Sequence, residues 1–219
     1  MSFVKLKHLY ESVPYTTVPG SGESFAGQYG LGVKHNNIWT PDRAKIYSVI
    51  PKRYHEDFFI TRMLINSLLL PHIDNDFITT INFYFDPQEY RTIFFKQKPG
   101  AKSWKTEEKQ NQLVDNKPLE QKDIDIDDLK NRVKEFVADK QNMPTIEEIT
   151  YVDAVYSFDD VYEVGSFVAQ PGEAYMLDVR NPHNVEPLNG IKVRKAFALR
   201  CKKYDYREVF EMLQETGNL

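Results

Sequence analysis

Two runs of aromatic and branched residues, 58–70 and 77–85, flank the short segment Pro71-His72-Ile73-Asp74-Asn75-Asp76. Both runs have the length and composition of β-strands, and the polar break between them marks where one strand ends and the next begins. In the second run Thr80, Asn82 and Tyr84 alternate with Ile81, Phe83 and Phe85. A strand presents alternate residues to opposite faces, so one face of this buried-looking strand is polar, which implies a ligand cavity. If residues 64–74 run extended, the same period of two projects His72 and Asp74 onto one face. The fold must therefore pair strands while keeping an imidazole and a carboxylate side by side at a strand end.

The rest of the chain agrees with strand pairing. From residue 149 onward, short runs such as "ITYVDAVYSF", "YEVGSFVAQ", "EAYMLDV" and "KVRKAFALRC" are separated by turns, including Pro171-Gly172. Short strands with turns between them predict an antiparallel sandwich or barrel, with residues 58–95 and 149–203 as its core. Residues 1–57 read as an arm and a helix. The arm, 1–37, is loop-rich with one short strand, because Pro14, Pro19 and several glycines punctuate it. Thr40, Pro41 and Asp42 open a helix that stops before Pro51. Residues 96–148 form a densely charged insertion with a helix over 126–140, capped by Asp125 and striped by Ile126, Leu129, Val133, Phe136 and Val137. The insertion reads either as a lid or as a charged surface excursion packed by one helix face. Residues 204–219 carry a final amphipathic helix over 206–215, with Asp205 as its cap and Gly217 as its stop.

A chain of 219 residues with 41% hydrophobic and 13% aromatic content suits a single domain, 1–219, with a sizeable core. The formal net charge of -4 provides no broad attraction to phosphate backbones or anionic lipid, so nucleic acid is not favoured as a partner and no membrane is expected. One cysteine, Cys201, rules out an internal disulfide framework. The first ten residues lack an apolar signal core, and the expected location is cytoplasmic.

A third candidate ligand, His183, lies in Asn181-Pro182-His183-Asn184-Val185, with Arg194 eleven residues further on. Two imidazoles and one carboxylate on one face of an octahedral ion leave positions open for a co-substrate and oxygen, the arrangement of non-haem Fe(II) oxygenases. The triplet H-x-D is itself common, and His55-Glu56-Asp57 also fits it. That second triplet sits in a charged run before the apolar strand. Only His72 is framed by the hydrophobic surroundings that a buried metal needs. The spacing "GQYGLG" lacks both a preceding buried strand and a Gly-Lys-Ser/Thr ending, and is not read as a phosphate loop.

Taken together, "LLLPHIDNDFITTINFYFD", "PGEAYMLDVRNPHNVEPL" and "VRKAFALR" resemble the Fe(II)/2-oxoglutarate-dependent dioxygenase superfamily, in particular its prolyl-hydroxylase-like branch. The pattern H-x-D, a long gap, H, then Arg or Lys about ten residues on is present in order. The resemblance covers about residues 58–86 and 158–201. It implies a mainly β fold with a double-stranded β-helix (jelly-roll) core and flanking α-helices. It implies that His72, Asp74 and His183 bind Fe(II), that Arg194 pairs with the distal carboxylate of 2-oxoglutarate, and that Tyr84 also contacts that co-substrate. The implied reaction is hydroxylation of a second substrate by O2, with release of succinate and CO2. Asp74 favours hydroxylation over halogenation, because halogenating members carry a small residue there. The second substrate stays open between a small molecule and a protein side chain. Two alternatives stand beside the enzyme: a non-catalytic jelly-roll module that binds metal or ligand, and a cupin-type metalloenzyme that does not use 2-oxoglutarate. Arg200 shares the strand face of Arg194 about 20 Å along, and either faces another part of the cavity or pairs with a surface carboxylate.

Overall fold

The structure, a computed structural model, describes residues 2–11, 16–17, 33–39, 43–65, 71–74, 77–85, 89–101, 103–104, 154–189 and 194–219. The expected helix over 126–140, and with it most of the charged insertion, lies outside these residues.

The chain is mainly β. Its strands are β1 (Phe3–Lys5), β2 (Thr16–Thr17), β3 (Val33–Trp39), β4 (Phe58–Ile65), β5 (His72–Ile73), β6 (Thr79–Tyr84), β7 (Tyr90–Gln97), β8 (Ser103–Trp104), β9 (Ala154–Tyr156), β10 (Val161–Phe167), β11 (Glu173–Asp178), β12 (His183–Pro187) and β13 (Arg194–Cys201). They form two antiparallel sheets. One has the order β1-β11-β6-β13-β4-β3-β2 and the other β10-β7-β12-β5-β9-β8.

The arm expected to be a loop with one strand holds two short strands, and a third begins at Val33. Strands this short carry little local signal. They exist because distant partners complete their hydrogen bonds, as β11 does for β1 through Phe3↔Leu177 and Lys5↔Tyr175. The helix expected after Thr40 appears as the short α1 (Arg43–Tyr47), and it ends before Pro51 as expected. A 3-10 helix, Lys52–Asp57, follows. The last helix, α2 (Tyr206–Glu215), begins at Asp205, whose side chain accepts from the Glu208 N–H while the Glu208 side chain accepts from the Asp205 N–H. This reciprocal cap satisfies two orphan donors of the first turn. Gly217, with φ 75°, supplies the left-handed residue that ends it. No helix among the described residues is long and apolar enough to cross a membrane.

The sheet periodicity divides the core. On the outer face of the larger sheet, Ile60, Ile81, Phe83, Met176, Phe197 and Leu199 pack against Ile46 and Ile50 around α1 and against Val209 and Leu213 of α2. On its other face, Met63, Ile65, Tyr84, Tyr175, Leu177 and Ala196 meet Tyr90, Phe94 and Val185 from the smaller sheet. A third cluster, Ile93, Phe95, Tyr156 and Val161, covers the far side of the smaller sheet. Burying a large side chain in such layers contributes about 1.5–3 kcal/mol each, which is what holds the two sheets together. The layer between the sheets is also where the polar face of β6 points.

Candidate metal centre

β5 lies beside β12 with His72 directly opposite His183. Residues opposite each other in an antiparallel pair project to the same face, so two histidines far apart in sequence become neighbours. Their ring centroids are 4.5 Å apart at 48°. Asp74, two residues beyond His72, is held by its backbone N–H, which donates to the Val179 carbonyl at 2.9 Å. Its Oδ1 lies 3.6 Å from His72 Nε2. One ligand atom from each of His72, Asp74 and His183 falls within 4.8 Å of the others. The three residues that the sequence nominates are thus brought together, and His72 and His183 are buried.

The turn before β12 sets the state of His183. Asp178 accepts from the Arg180 N–H at 3.3 Å and from Asn181 Nδ2 at 2.7 Å, which fixes the turn between β11 and β12. The Asn181 carbonyl then lies 2.9 Å from His183 Nδ1. A carbonyl can only accept, so Nδ1 carries the proton and Nε2 keeps its lone pair for a metal. Burial, helped by the neighbouring His72, pushes the His183 pKa down to about 4, against the opposing pull of Asp74 and the Asn181 hydrogen bond. The ring is therefore neutral at ordinary pH, the form a metal ligand needs. On its other side, His183 is paired with Phe94 in register and stacked on it at 5.6 Å. Phe94 is stacked in turn on Phe3 of β1 at 5.3 Å. The donor set and its fixed tautomer suit a divalent metal.

A second polar cluster adjoins this one. Arg194 is buried, its Nη2 donates to Thr92 Oγ1 at 2.8 Å, and its guanidinium lies 4.8 Å from the centre of the Tyr84 ring. Its Nε is buried with no hydrogen-bond partner among the described residues. Thr92 is the next residue of β7 on the same face as Phe94, the partner of His183, so the β7 residues that meet the two clusters stand about 7 Å apart along the strand. Tyr84 is fully buried and accepts from Asn82 Nδ2 at 3.2 Å, and Asn82 Oδ1 accepts from Thr80 at 3.1 Å. The polar face of β6 is thus a ladder of hydrogen bonds leading to the Tyr84 hydroxyl.

Thr92 and Phe94 were not anticipated as site residues. The signal was present: one threonine in an otherwise aromatic inward stripe of Tyr90, Thr92 and Phe94. Phe3 carried no signal, since its place depends on β1 pairing with β11. The competing triplet is not a cluster. His55 Nε2 lies 2.8 Å from the Ile50 carbonyl, and Asp57 accepts from Lys203 and the Tyr204 hydroxyl.

No family model matches the chain, and no curated protein is significantly similar to it. Among solved structures it is similar to ycfD of E. coli, known from its X-ray structure, with 10% sequence identity and a TM-score of 0.36. The match covers 81% of this chain but 36% of that one, so this chain spans little more than a third of that protein. A likeness this distant says nothing of activity.

Proposed function

We propose that this chain is an Fe(II)- and 2-oxoglutarate-dependent oxygenase of the prolyl-hydroxylase-like branch, hydroxylating a second substrate with release of succinate and CO2. The observation that carries the reading is the convergence of His72, Asp74 and His183 beside a buried arginine, Arg194. Two imidazoles and a carboxylate alone would serve a hydrolytic zinc as well. An adjacent guanidinium whose buried Nε has no hydrogen-bond partner among the described residues calls for an acceptor, which an anion bound beside the metal ligands would supply, and burying such a donor without one is costly.

A double-stranded β-helix is the fold this reading requires, and the order of the strands supports it. Successive strands β4, β5, β6 and β7 alternate between the larger and the smaller sheet, and β10, β11, β12 and β13 do so again. A long hairpin wound into two facing sheets gives this alternation. The helices α1 and α2 flank it on the outer face of the larger sheet.

His72, Asp74 and His183 would hold Fe(II). Fe(II) bound there supplies the chemistry that couples decarboxylation of 2-oxoglutarate to hydroxylation: one oxygen atom of O2 enters succinate and the other enters the product. Arg194 holds the distal carboxylate of 2-oxoglutarate through parallel charge-assisted bonds, for which its planar fork is suited. Thr92 and the Tyr84 ring orient that fork. The Tyr84 oxygen accepts from Asn82, and its own proton would be the one offered to the co-substrate carboxylate. The buried inter-sheet side chains of Met63, Ile65 and Ala196 would keep water from this end of the site and so strengthen these contacts.

The test is succinate release. Supplied with Fe(II), 2-oxoglutarate and O2, the chain is expected to form succinate slowly alone and faster with its second substrate, which a screen of small acids, amino acids and peptides identifies. A chain that binds Fe(II) but neither binds nor consumes 2-oxoglutarate would instead be a metal-binding module.

A further inference from the structure

β1 stands at the edge of the larger sheet and, among the described residues, pairs with β11 alone. Its side chains divide between two layers. Val4 packs against the outer cluster around α1 and α2, whereas Phe3 packs into the inter-sheet cluster that contains Phe94. The Phe3 ring is stacked on Phe94 at 5.3 Å and 27°, and it lies 5.0 Å from Phe167 and 6.5 Å from Tyr175. Gly165 of β10 makes room for it: a side-chain carbon there would stand 3.2 Å from the ring. Phe94 meets His183 at 5.6 Å, again at 27°. A stack of three rings thus runs from the edge of one sheet to a candidate metal ligand on the other.

The same strand reaches that ligand by a second route. The Asp178 N–H donates to the Ser2 carbonyl at 2.9 Å, which ties the end of β11 to the start of the chain beside β1. Asp178 opens the turn to β12, and its carboxylate accepts from Asn181 Nδ2 at 2.7 Å. From that turn the Asn181 carbonyl accepts from His183 Nδ1 at 2.9 Å, and the Val179 carbonyl accepts from the Asp74 N–H at 2.9 Å. The stack fixes the plane of the His183 ring, while the turn fixes which nitrogen is left for a metal. A ligand held in both respects loses little freedom on binding, so its support is read out as affinity. A three-residue edge strand is the kind of segment that opens at low cost, so this support is only as firm as the docking of β1. The Lys5 ammonium on the Glu173 carboxylate and the Leu6 N–H on the Ala174 carbonyl, at 2.9 Å, hold its far end.

We infer that β1 is a positioning element of the candidate metal centre, with Phe3 as the positioning residue that acts on His183 through Phe94. This rests on the metal-binding part of the oxygenase reading, while the orientation of the His183 ring can be measured without a metal.

The experiment uses the full chain and Zn(II), with affinity measured by competition against a chelator and the His183 imidazole followed by nitrogen-15 NMR in the metal-free protein. Phe3→Leu keeps an apolar side chain at the site but removes the ring, and it should weaken Zn(II) at least fivefold. Phe3→Tyr keeps the ring and should stay within twofold of wild type. Val4→Ala, on the opposite face of the same strand, should also stay within twofold, even where it lowers stability as much as Phe3→Leu. In the metal-free protein Phe3→Leu should reduce the share of the Nδ1-protonated tautomer of His183, and Val4→Ala should not. If Phe3→Leu does not fold, Gly165→Ala carries the test: its Cβ displaces the Phe3 ring without deleting an apolar atom, and Zn(II) should weaken at least twofold. Unchanged affinity in the ring-removing or ring-displacing variant overturns the proposal. So does a loss in Phe3→Tyr or Val4→Ala equal to that in Phe3→Leu. A wild-type chain that refuses Zn(II) will not hold the more weakly bound Fe(II), and the oxygenase reading has then failed. The metal-free comparison still decides the role of Phe3 in that case: an unchanged His183 tautomer in the variant overturns it, and a shifted one sustains it.

Discussion

The Arg194 guanidinium lies 4.8 Å from the centre of the Tyr84 ring, across strands β13 and β6 of one sheet. A cation over an aromatic face is attracted by the ring quadrupole, and inside the protein that attraction fixes the fork while Thr92 fixes its edge. Arg194→Met should weaken 2-oxoglutarate binding about a hundredfold, since losing one partner of a desolvated charge pair costs on the order of 3 kcal/mol. Metal content, measured alongside, should not change. Thr92→Val removes one hydrogen bond to a charged group and should cost about tenfold in the same titration.

Each of His72→Ala, Asp74→Ala and His183→Ala should abolish stoichiometric Fe(II) binding, as measured by metal analysis of the folded variants. His55→Ala should keep its iron, because His55 Nε2 faces the Ile50 carbonyl and its ring packs at 5.0 Å from Tyr47. A loss of iron in His55→Ala with retention in His72→Ala would reverse the assignment of the triplets.

Phe94 supports both the core and the candidate metal centre, being fully buried between Phe3 and His183. Phe94→Ala should lower the stability by about 3–5 kcal/mol in denaturant unfolding. Phe94→Leu, a milder change, should fold and still loosen Fe(II) by freeing the His183 ring. Equal iron affinity in Phe94→Leu and wild type would show that the stacking does not orient the ligand.

Acid stability should depend on Glu173. Burial alone would raise the pKa of its carboxyl, but hydrogen bonds from Lys5, the Gln170 N–H and the Tyr175 hydroxyl, with the charge of Lys5, hold it below the usual value. A carboxyl lowered in the folded state stabilises above its unfolded pKa, about 4.3, and that stability is lost as pH falls through the folded value. Glu173→Gln should therefore show a flatter decline of unfolding free energy below about pH 4.3 than wild type. Parallel acid limbs would remove Glu173 from the account.

Much of the candidate site was legible in the sequence because ligand chemistry demands particular residue types at particular spacings. His72 and Asp74 were marked by their apolar frame, and the alternation of Thr80, Asn82 and Tyr84 announced a polar inner face. The α2 helix was equally legible, since Asp205, Glu208 and Gly217 are local signals at its ends. Asp205→Ala should accordingly cost about 1 kcal/mol, read from thermal or denaturant unfolding. What stayed hidden was decided by long-range pairing. Phe3 reaches the site only because β1 joins β11, and Thr92 reaches Arg194 only because the two sheets face each other. The 3-10 helix at Lys52–Asp57 was hidden for a different reason: a charged stretch with no apolar period has no sequence mark.

In the proposed oxygenase a metal held by His72, Asp74 and His183 would lie beside a carboxylate held by Arg194. Binding at two such positions must be coupled, and the coupling is reciprocal. The most direct measurement is the affinity for 2-oxoglutarate, titrated without oxygen, with and without Fe(II), in wild type and in His183→Ala. The account predicts at least tenfold tighter binding with Fe(II) in wild type and no enhancement in His183→Ala. Equal affinity with and without the metal in wild type would contradict it.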